Sequence, residues 1–109
     1  RQVVEEQMVT AASDRAVIDA AFATPVLRVR SRRAGDALVP LGMKGRKKLQ
    51  DVFVDSKVPR EMRDRVPLVV DRNGRIVWVA GVVQSEHAKV TERTQSVVTL
   101  RLSRLGDWL

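Results

Sequence analysis

Lysine and arginine side chains are concentrated in one stretch of this 109-residue chain, from Arg28 to Arg65. The stretch holds 12 of the 20 Lys and Arg residues but only 5 of the 13 Asp and Glu residues, so it carries the whole net charge of +7. Localised positive charge binds polyanions, because neutralised phosphates release condensed counterions. The charge pattern therefore indicates a nucleic-acid-binding face, with membrane surfaces and acidic proteins as alternatives on charge alone.

Residue types that usually carry catalysis are sparse. His87 is the one histidine and cysteine is absent, so a surface histidine is the simplest interpretation and no thiolate or multi-histidine metal site can form. Asp51 and Asp55 have the i, i+4 spacing of a carboxylate pair, but they fit better as the polar side of a helix balancing Lys and Arg. Asp36 fits a turn residue that bonds local backbone or an arginine. We predict no catalytic residue and no metal site in this chain.

Length and composition limit the class of protein. The chain can form one domain with a modest core, and its 44% hydrophobic and 30% charged content is ordinary for a folded protein. No apolar run approaches the ~20 residues that cross a bilayer, and the first residues lack the apolar core of a signal peptide. We therefore predict a cytoplasmic protein with no membrane partner. Because the chain begins with Arg1, we expect it to be a fragment of a longer protein.

The first basic residues belong to a predicted strand. From residue 26 apolar positions alternate with Arg28 and Arg30, which predicts a strand whose outward face is cationic. Gly35 and Asp36 then indicate a turn, and further Pro and Gly residues keep the backbone irregular up to residue 45. Arginine is thus expected on a strand and on the loop that follows it.

A main helix is predicted over residues 45–56, because its apolar residues fall at i, i+3 and i+4. These residues are Leu49, Val52 and Phe53. The run from Arg46 to Lys48 would then crowd the first turn, where positive charge opposes the helix macrodipole at a cost of about 0.3–1 kcal/mol. A bound phosphate would remove that conflict. The alternative interpretation is a basic helix end in contact with solvent, and these residues alone favour neither interpretation.

Two Val-rich runs on either side of Asn73 and Gly74 predict a β-hairpin over residues 66–83. Asn-Gly favours a type I′ turn, in which both central residues have positive φ. Both runs are almost continuously apolar, so each is expected to be covered on both faces. Trp78 is then most simply a core residue.

Weaker patterns complete the predicted fold. Short strands are expected around Ile18 and at residues 98–102, and residues 59–65 fit a single further turn. The fold class is α+β and strand-rich, with sandwich-like sheets and one main helix. We expect an N-terminal lead-in over residues 1–24, either edge strands or helix, and a domain over residues 25–109 within a single-domain chain.

Aromatic content separates two kinds of nucleic-acid binding. The chain has no Tyr and only four aromatic residues. These are Phe22, Phe53, Trp78 and Trp108. A stacking platform for single-stranded bases is therefore disfavoured. Contacts with phosphates and 2′-hydroxyls of a folded, double-helical RNA such as a tRNA suit this surface better.

Four ordered motifs closely resemble the C-terminal domain of tRNA(Ile)-lysidine synthetase. They are RSRRAGD (Arg30 to Asp36), PLGMKGRKKLQDVF (Pro40 to Phe53), KVPREMRDRVPLV (Lys57 to Val69) and IVWVAG (Ile76 to Gly81). The resemblance covers roughly half to two-thirds of the chain strongly. Because several motifs occur in order at matching spacing, it is highly specific.

The resemblance implies part of an enzyme that uses ATP to attach lysine to the wobble cytidine of tRNA(Ile). ATP, with Mg²⁺, would be bound by an N-terminal catalytic domain whose SGGxDS loop is absent from this sequence. The fragment itself would bind and position tRNA, with no catalytic residue and no cofactor of its own. The implied fold is similar to a β-rich module of the bacterial phenylalanyl-tRNA synthetase β subunit. Further expected partners are that catalytic domain and a second copy in a homodimer.

Ten basic residues form the predicted tRNA-binding set. They are Arg28, Arg30, Arg32, Arg33, Lys44, Arg46, Lys47, Lys48, Arg60 and Arg63. Many relatives have an arginine, an aromatic residue and another basic residue where this chain has Ala37, Leu38 and Val39, so we expect this apolar trio to pack inward or against another domain. The alternative function is a docking or dimerisation module that packs on the catalytic domain.

Overall fold

The computed structural model describes residues 14–103, so the predictions for residues 1–13 and for Trp108 lie outside the described residues. In chain order the strands are β1 (Arg15–Asp19), β2 (Arg28–Arg30), β3 (Ala37–Leu38), β4 (Lys47–Lys48), β5 (Leu68–Val70), β6 (Ile76–Val79), β7 (Val83–Gln84) and β8 (Val97–Arg101). One α-helix, α1, spans Leu49–Asp55, and short 3₁₀ helices span Ala20–Ala23 and Arg60–Arg65. The architecture is the α+β, strand-rich fold that the sequence predicts.

A four-stranded antiparallel sheet, in the order β2-β5-β6-β7, forms the centre of the fold. Every residue of β5 and β6 is buried. One face packs on α1 through a cluster that includes Leu49, Phe53 and Val79. The other face packs on β1 through a cluster that includes Ile18 and Trp78. The prediction that the hairpin is covered on both faces is confirmed.

The turn between β5 and β6 differs from the predicted type I′ turn. Gly74 has a φ of +82°, but Asn73 is not among the residues with positive φ. The Asp71 carboxylate accepts the backbone N–H groups of Asn73 and Arg75, and Gly74 N–H donates to the Asp71 carbonyl at 2.9 Å. These bonds favour a type I turn followed by a glycine bulge, and the register shifts between Val69 and Val70.

The helix begins four residues later than predicted. Lys47 and Lys48 form β4, which pairs with β3 in the register Leu38 to Lys47. Leu49 N–H donates to the Asp36 carbonyl at 2.9 Å, so the backbone before α1 is held extended by strand pairing. The expectation that Arg46 to Lys48 crowd the first helical turn is therefore wrong: Lys48 is the N-cap residue, and Arg46 and Lys47 precede the helix. Leu38 is buried in the core, so the apolar trio does pack inward there.

The N-terminal lead-in contributes a strand to the described fold. β1 pairs antiparallel with β8 along its whole length, from Arg15 opposite Arg101 to Asp19 opposite Val97. This two-stranded ribbon lies over the central sheet and gives the predicted sandwich-like arrangement. Of the two alternatives for the lead-in, its described part is thus a strand followed by a 3₁₀ turn. Among the described residues, no helix is both long and apolar enough to cross a membrane.

Candidate nucleic-acid interface

Asp36 organises the loop that carries most of the arginines. Its carboxylate accepts two hydrogen bonds from the Arg30 guanidinium, at 3.0 and 2.9 Å, and one from the Arg33 backbone N–H at 2.7 Å. Gly35 has a φ of +86°, a conformation that glycine adopts without steric cost, and so closes the turn. The turn at residues 32–36, here called the RRAGD turn, is thereby fixed to β2.

The electrostatics of this ion pair follow from its burial. The Asp36 side chain is only 10% exposed. Burial alone would raise the pKa of Asp36, but the hydrogen bonds from Arg30 and Arg33 outweigh it and hold the pKa below its ordinary value. The same bond raises the pKa of Arg30. Asp36 is therefore a structural anion, as predicted, and Arg30 lies inward, which corrects the prediction that it lies on an outward face.

A groove of about 450 Å³ lies between the RRAGD turn and the start of α1. Its lining includes Arg32, Arg33, Gly35, Lys48, Gln50 and Asp64. Arg32 is paired with Asp64 at 2.7 Å, whereas Arg33 and Lys48 are exposed. We call this the Arg33 groove. It brings together two cations that are 15 positions apart in the sequence.

The ten predicted RNA-binding residues divide into two groups. Four are engaged in intramolecular contacts: Arg30 with Asp36, Arg32 with Asp64, Lys47 with Asp55, and Arg63 with the Val58 carbonyl and the Phe53 ring. Within residues 14–103 the other six make no side-chain hydrogen bond or ion pair: Arg28, Arg33, Lys44, Arg46, Lys48 and Arg60. All six are exposed. The uncommitted group is the one available to an anion, and its members at positions 33 and 48 share a groove.

The loop at residues 41–46, which carries Lys44 and Arg46, is tied to the segment after β7. Gly42 N–H donates to the Glu86 carboxylate at 2.8 Å, and Leu41 N–H donates to the Gln84 carbonyl at 2.9 Å. Lys89 and this N–H hold the pKa of Glu86 below its ordinary value. Sequence reasoning missed Glu86, because nothing local links it to residues more than 40 positions earlier.

A second aspartate organises the turn at residues 71–75, here called the Asp71 turn. Besides its two backbone N–H donors, the Asp71 carboxylate contacts Arg75 Nε and His87 Nε2, both at 3.2 Å. Burial opposes ionisation, but these bonds hold the pKa of Asp71 below its ordinary value. Arg75 also lies over the Phe22 ring, 5.8 Å from its centroid. The sequence does contain a signal for this turn: an Asp two residues before Asn73 can accept the Asn73 backbone N–H.

His87 is not the freely exposed side chain that the sequence suggested. Its side chain is 26% exposed, and its ring packs edge-on against Phe22 with centroids 5.3 Å apart. Asp51 and Asp55 follow the helix-face interpretation: Asp55 pairs with Lys47 and Asp51 is exposed. In the part of the chain from residue 14 to 103, no group of three or more His, Cys, Asp and Glu side chains could hold a metal ion.

Comparison with known proteins gives the family. Residues 27–102 match the model of the TilS substrate C-terminal domain. The chain belongs to this family. The match contains the RRAGD turn, the Arg33 groove and the Asp71 turn.

Relatives support the same assignment. A tRNA(Ile)-lysidine synthase from Symbiobacterium thermophilum is 47% identical over 78 residues, which are 72% of this chain and 16% of the relative. A bifunctional protein TilS/HprT from Listeria monocytogenes is 39% identical over 88 residues, which are 81% of this chain and 14% of the relative. The chain thus spans about one sixth or less of the length of these relatives.

Two solved structures are similar in fold. The crystal structure of a TilS C-terminal domain superposes with a TM-score of 0.72 at 36% identity and covers 94% of this chain and 79% of that chain. An N-terminal fragment of the Pyrococcus horikoshii phenylalanyl-tRNA synthetase β subunit superposes with a TM-score of 0.63 at 18% identity, covering 78% of this chain and 26% of that one. At that identity the second likeness concerns the fold alone, and it confirms the predicted fold similarity.

Proposed function

We propose that this chain is the tRNA-binding C-terminal domain of a tRNA(Ile)-lysidine synthase, and that it positions tRNA without performing catalysis. The observation that carries the proposal is the Arg33 groove. Arg33 and Lys48 both line one groove, exposed and without an ion-pair partner among the described residues. Two such cations are suited to adjacent phosphates of an RNA backbone.

The rigidity of the groove supports the proposal. Arg33 follows a backbone that Asp36 and Arg30 hold in place, and Lys48 lies in a strand paired with β3. Both walls also meet directly, because Leu49 N–H donates to the Asp36 carbonyl. A preorganised site loses less side-chain and loop entropy on binding than a mobile one does. The backbone positions from which the two cations extend are therefore held in place.

The mode of binding follows from the aromatic residues. Phe53 and Trp78 are buried in the two cores, and Phe22 is covered by Arg75 and His87. The described surface therefore offers no aromatic platform on which unpaired bases could stack. Recognition of an RNA double helix through its phosphates and 2′-hydroxyls is the mode that this surface supports.

The remaining parts of the proposal concern the longer protein. We place binding of ATP and Mg²⁺, and the ligation of lysine to the wobble cytidine of tRNA(Ile), in a catalytic domain outside this chain. That domain is a proposed partner, and the proposed compartment is the cytoplasm. The described residues form no metal-ligand cluster, so no step of the reaction is assigned to them.

Titration of fluorescently labelled tRNA(Ile) with the chain tests the proposal. We expect the double variant Arg33→Ala and Lys48→Ala to bind about 10-fold more weakly, because it removes two phosphate contacts. Arg93→Ala with Arg101→Ala is the matched control, since both arginines are exposed and lie outside the groove. Equal affinities of the two double variants, or no tRNA binding by the unaltered chain, would contradict the proposal.

A docking function is the second candidate, and one observation favours it. Val29, on the edge strand β2, is 67% exposed, and Val26 just before it is also exposed. An edge strand can pair with a second copy or with another domain, and on β2 the exposed Val29 would add apolar contact. Light scattering of the chain at increasing concentration tests for a homodimer. A dimer that Val29→Lys disrupts, and that does not bind tRNA, would favour docking over RNA binding.

A further inference from the structure

A second groove lies on the other side of the RRAGD turn. It measures about 220 Å³, and its lining includes Gly35, Leu38, Arg46, Arg75, Ile76 and His87. We call it the Arg46 groove. Leu38 and Ile76 are core residues, so they form an apolar floor, while the charged side chains stand at its walls. Arg75 and His87 do not belong to the sequence-predicted RNA-binding set.

The two arginines of this groove keep hydrogen-bond donors available. Arg46 has no side-chain partner among the described residues. Arg75 uses only its Nε toward Asp71, so its two terminal nitrogens make no hydrogen bond within residues 14–103. His87 uses only Nε2, also toward Asp71. The groove thus offers one unpaired guanidinium, a second guanidinium oriented by Asp71 and an imidazole fixed in place.

The acidic groups near this groove are already neutralised. Asp36 lines it, but its carboxylate is bound by Arg30 and by the Arg33 N–H. Asp71 lies behind the wall and is paired with Arg75 and His87. An anion that enters the groove therefore meets the uncompensated charge of Arg46 rather than a free carboxylate.

The two grooves are adjacent. Gly35 and Asp36 line both of them, so the RRAGD turn is the ridge that separates the Arg33 groove from the Arg46 groove. Gly35 is exposed, and a Cβ added there would meet nothing within 4 Å. A ridge without a side chain allows a polymer backbone to pass closely from one groove to the other.

We propose that an RNA backbone crosses the RRAGD turn at Gly35 and places a phosphate in the Arg46 groove, where Arg46 and Arg75 bind it beside the His87 ring. This inference rests on the proposed RNA-binding function and extends it to a second site. The chemistry required of the ligand is a chain of phosphodiesters rather than a single anion, because one ligand must reach two grooves that share Gly35 and Asp36.

The ring-proton NMR resonances of His87 test this inference directly, since it is the one histidine of the chain. The probe is an RNA duplex of about ten base pairs, titrated into the chain. We expect the His87 resonances to shift and to saturate at the same RNA concentration as the amide resonances of Arg33 and Lys48. Arg46→Ala should weaken duplex binding about 5-fold, because one phosphate contact is lost. Arg46→Lys should restore most of the affinity, because the charge is kept.

Arg72→Ala is the matched control, because Arg72 is an exposed arginine on the Asp71 turn that lines a different groove. It should leave the affinity and the His87 shift unchanged. His87 resonances that stay fixed while Arg33 and Lys48 respond would overturn the second site and leave the proposed function intact. An Arg46→Ala variant that binds like Arg72→Ala would do the same. If neither the His87 nor the Arg33 resonances respond to RNA, both proposals fail.

Discussion

The RRAGD turn and the Asp71 turn use the same chemistry for different ends. In each, a carboxylate accepts at least one backbone N–H of its own turn and a hydrogen bond from an arginine, and its pKa is lowered. The Asp71 side chain is 2% exposed, whereas that of Asp36, between β2 and β3, is 10% exposed. The Asp71 turn joins two fully buried strands, while the RRAGD turn separates two grooves.

The difference shows where charge becomes available for binding. Each aspartate neutralises the arginine that it orients, so neither Arg30 nor Arg75 contributes a fully free charge. Beside Asp36, however, Arg33 and Lys48 remain without partners in the described part of the chain. The carboxylate of the Asp71 turn therefore stabilises the fold, whereas that of the RRAGD turn also positions neighbouring cations. Substitutions of the two aspartates separate these roles.

The largest effect on stability is expected from Asp71→Ala. This variant removes a buried carboxylate that accepts bonds from two backbone N–H groups, Arg75 and His87. We expect a loss of about 2–4 kcal/mol in the free energy of unfolding, because several hydrogen bonds to one charged acceptor are lost together. Urea denaturation followed by circular dichroism measures it. A loss below about 1 kcal/mol would show that the Asp71 turn is not a stabilising centre.

Asp36→Ala should separate binding from folding. Because Asp36 is nearer the surface, we expect a smaller loss of about 1–3 kcal/mol in unfolding free energy. The RRAGD turn would lose its bonds to Arg30 and Arg33, so tRNA affinity should fall about 10-fold, equivalent to about 1.4 kcal/mol. Anisotropy titration under conditions where the variant is fully folded measures the affinity. An unchanged affinity would mean that the bonds of Asp36 in the RRAGD turn do not position Arg33.

A smaller effect is expected from acid. A carboxyl group whose pKa is lower in the folded state stabilises the fold above its unfolded pKa, and this contribution is lost as the pH falls through the folded value. For Asp71 and Asp36 the loss therefore begins below about pH 4, since the ordinary pKa of aspartate is 3.8. At pH values below about 4, we expect the urea concentration at the midpoint of unfolding to decrease. The decrease should be smaller in Asp71→Ala than in the unaltered chain. Parallel decreases in both proteins would contradict this assignment.

Much of the fold was predictable from local patterns. The continuous apolar runs around Asn73 and Gly74 predicted a buried hairpin, and alternation in residues 98–102 predicted a strand that the structure places at Val97–Arg101. The turn type was not predicted, because Asn-Gly was given more weight than Asp71, whose side chain selects a type I turn with a glycine bulge. The preference of Asn-Gly for a type I′ turn was overridden by the hydrogen bonds that the Asp71 carboxylate accepts from the turn.

Errors at the candidate site come from non-local contacts. The start of α1 was predicted too early. The apolar spacing begins at Leu49 and does not show that Lys47, just before it, pairs with Leu38 in a strand. Charge counting treated all ten basic residues alike, although three of them are ion-paired and Arg63 bonds a backbone carbonyl. The ion pairs depend on Asp36, Asp55 and Asp64 lying nearby in the fold. The sequence could predict a cationic region but not its uncommitted members.

The salt dependence of tRNA(Ile) binding tests the central claim, that Arg33 and Lys48 contact phosphates. Binding should weaken as salt is added, so that log Kd rises linearly with the logarithm of the salt concentration. The slope should be about 0.7–0.9 for each phosphate contact. We predict that Arg33→Ala with Lys48→Ala reduces the slope by about 1.4–1.8, while Arg93→Ala with Arg101→Ala leaves it unchanged. Equal slopes for the unaltered chain and the Arg33 and Lys48 double variant would contradict the account.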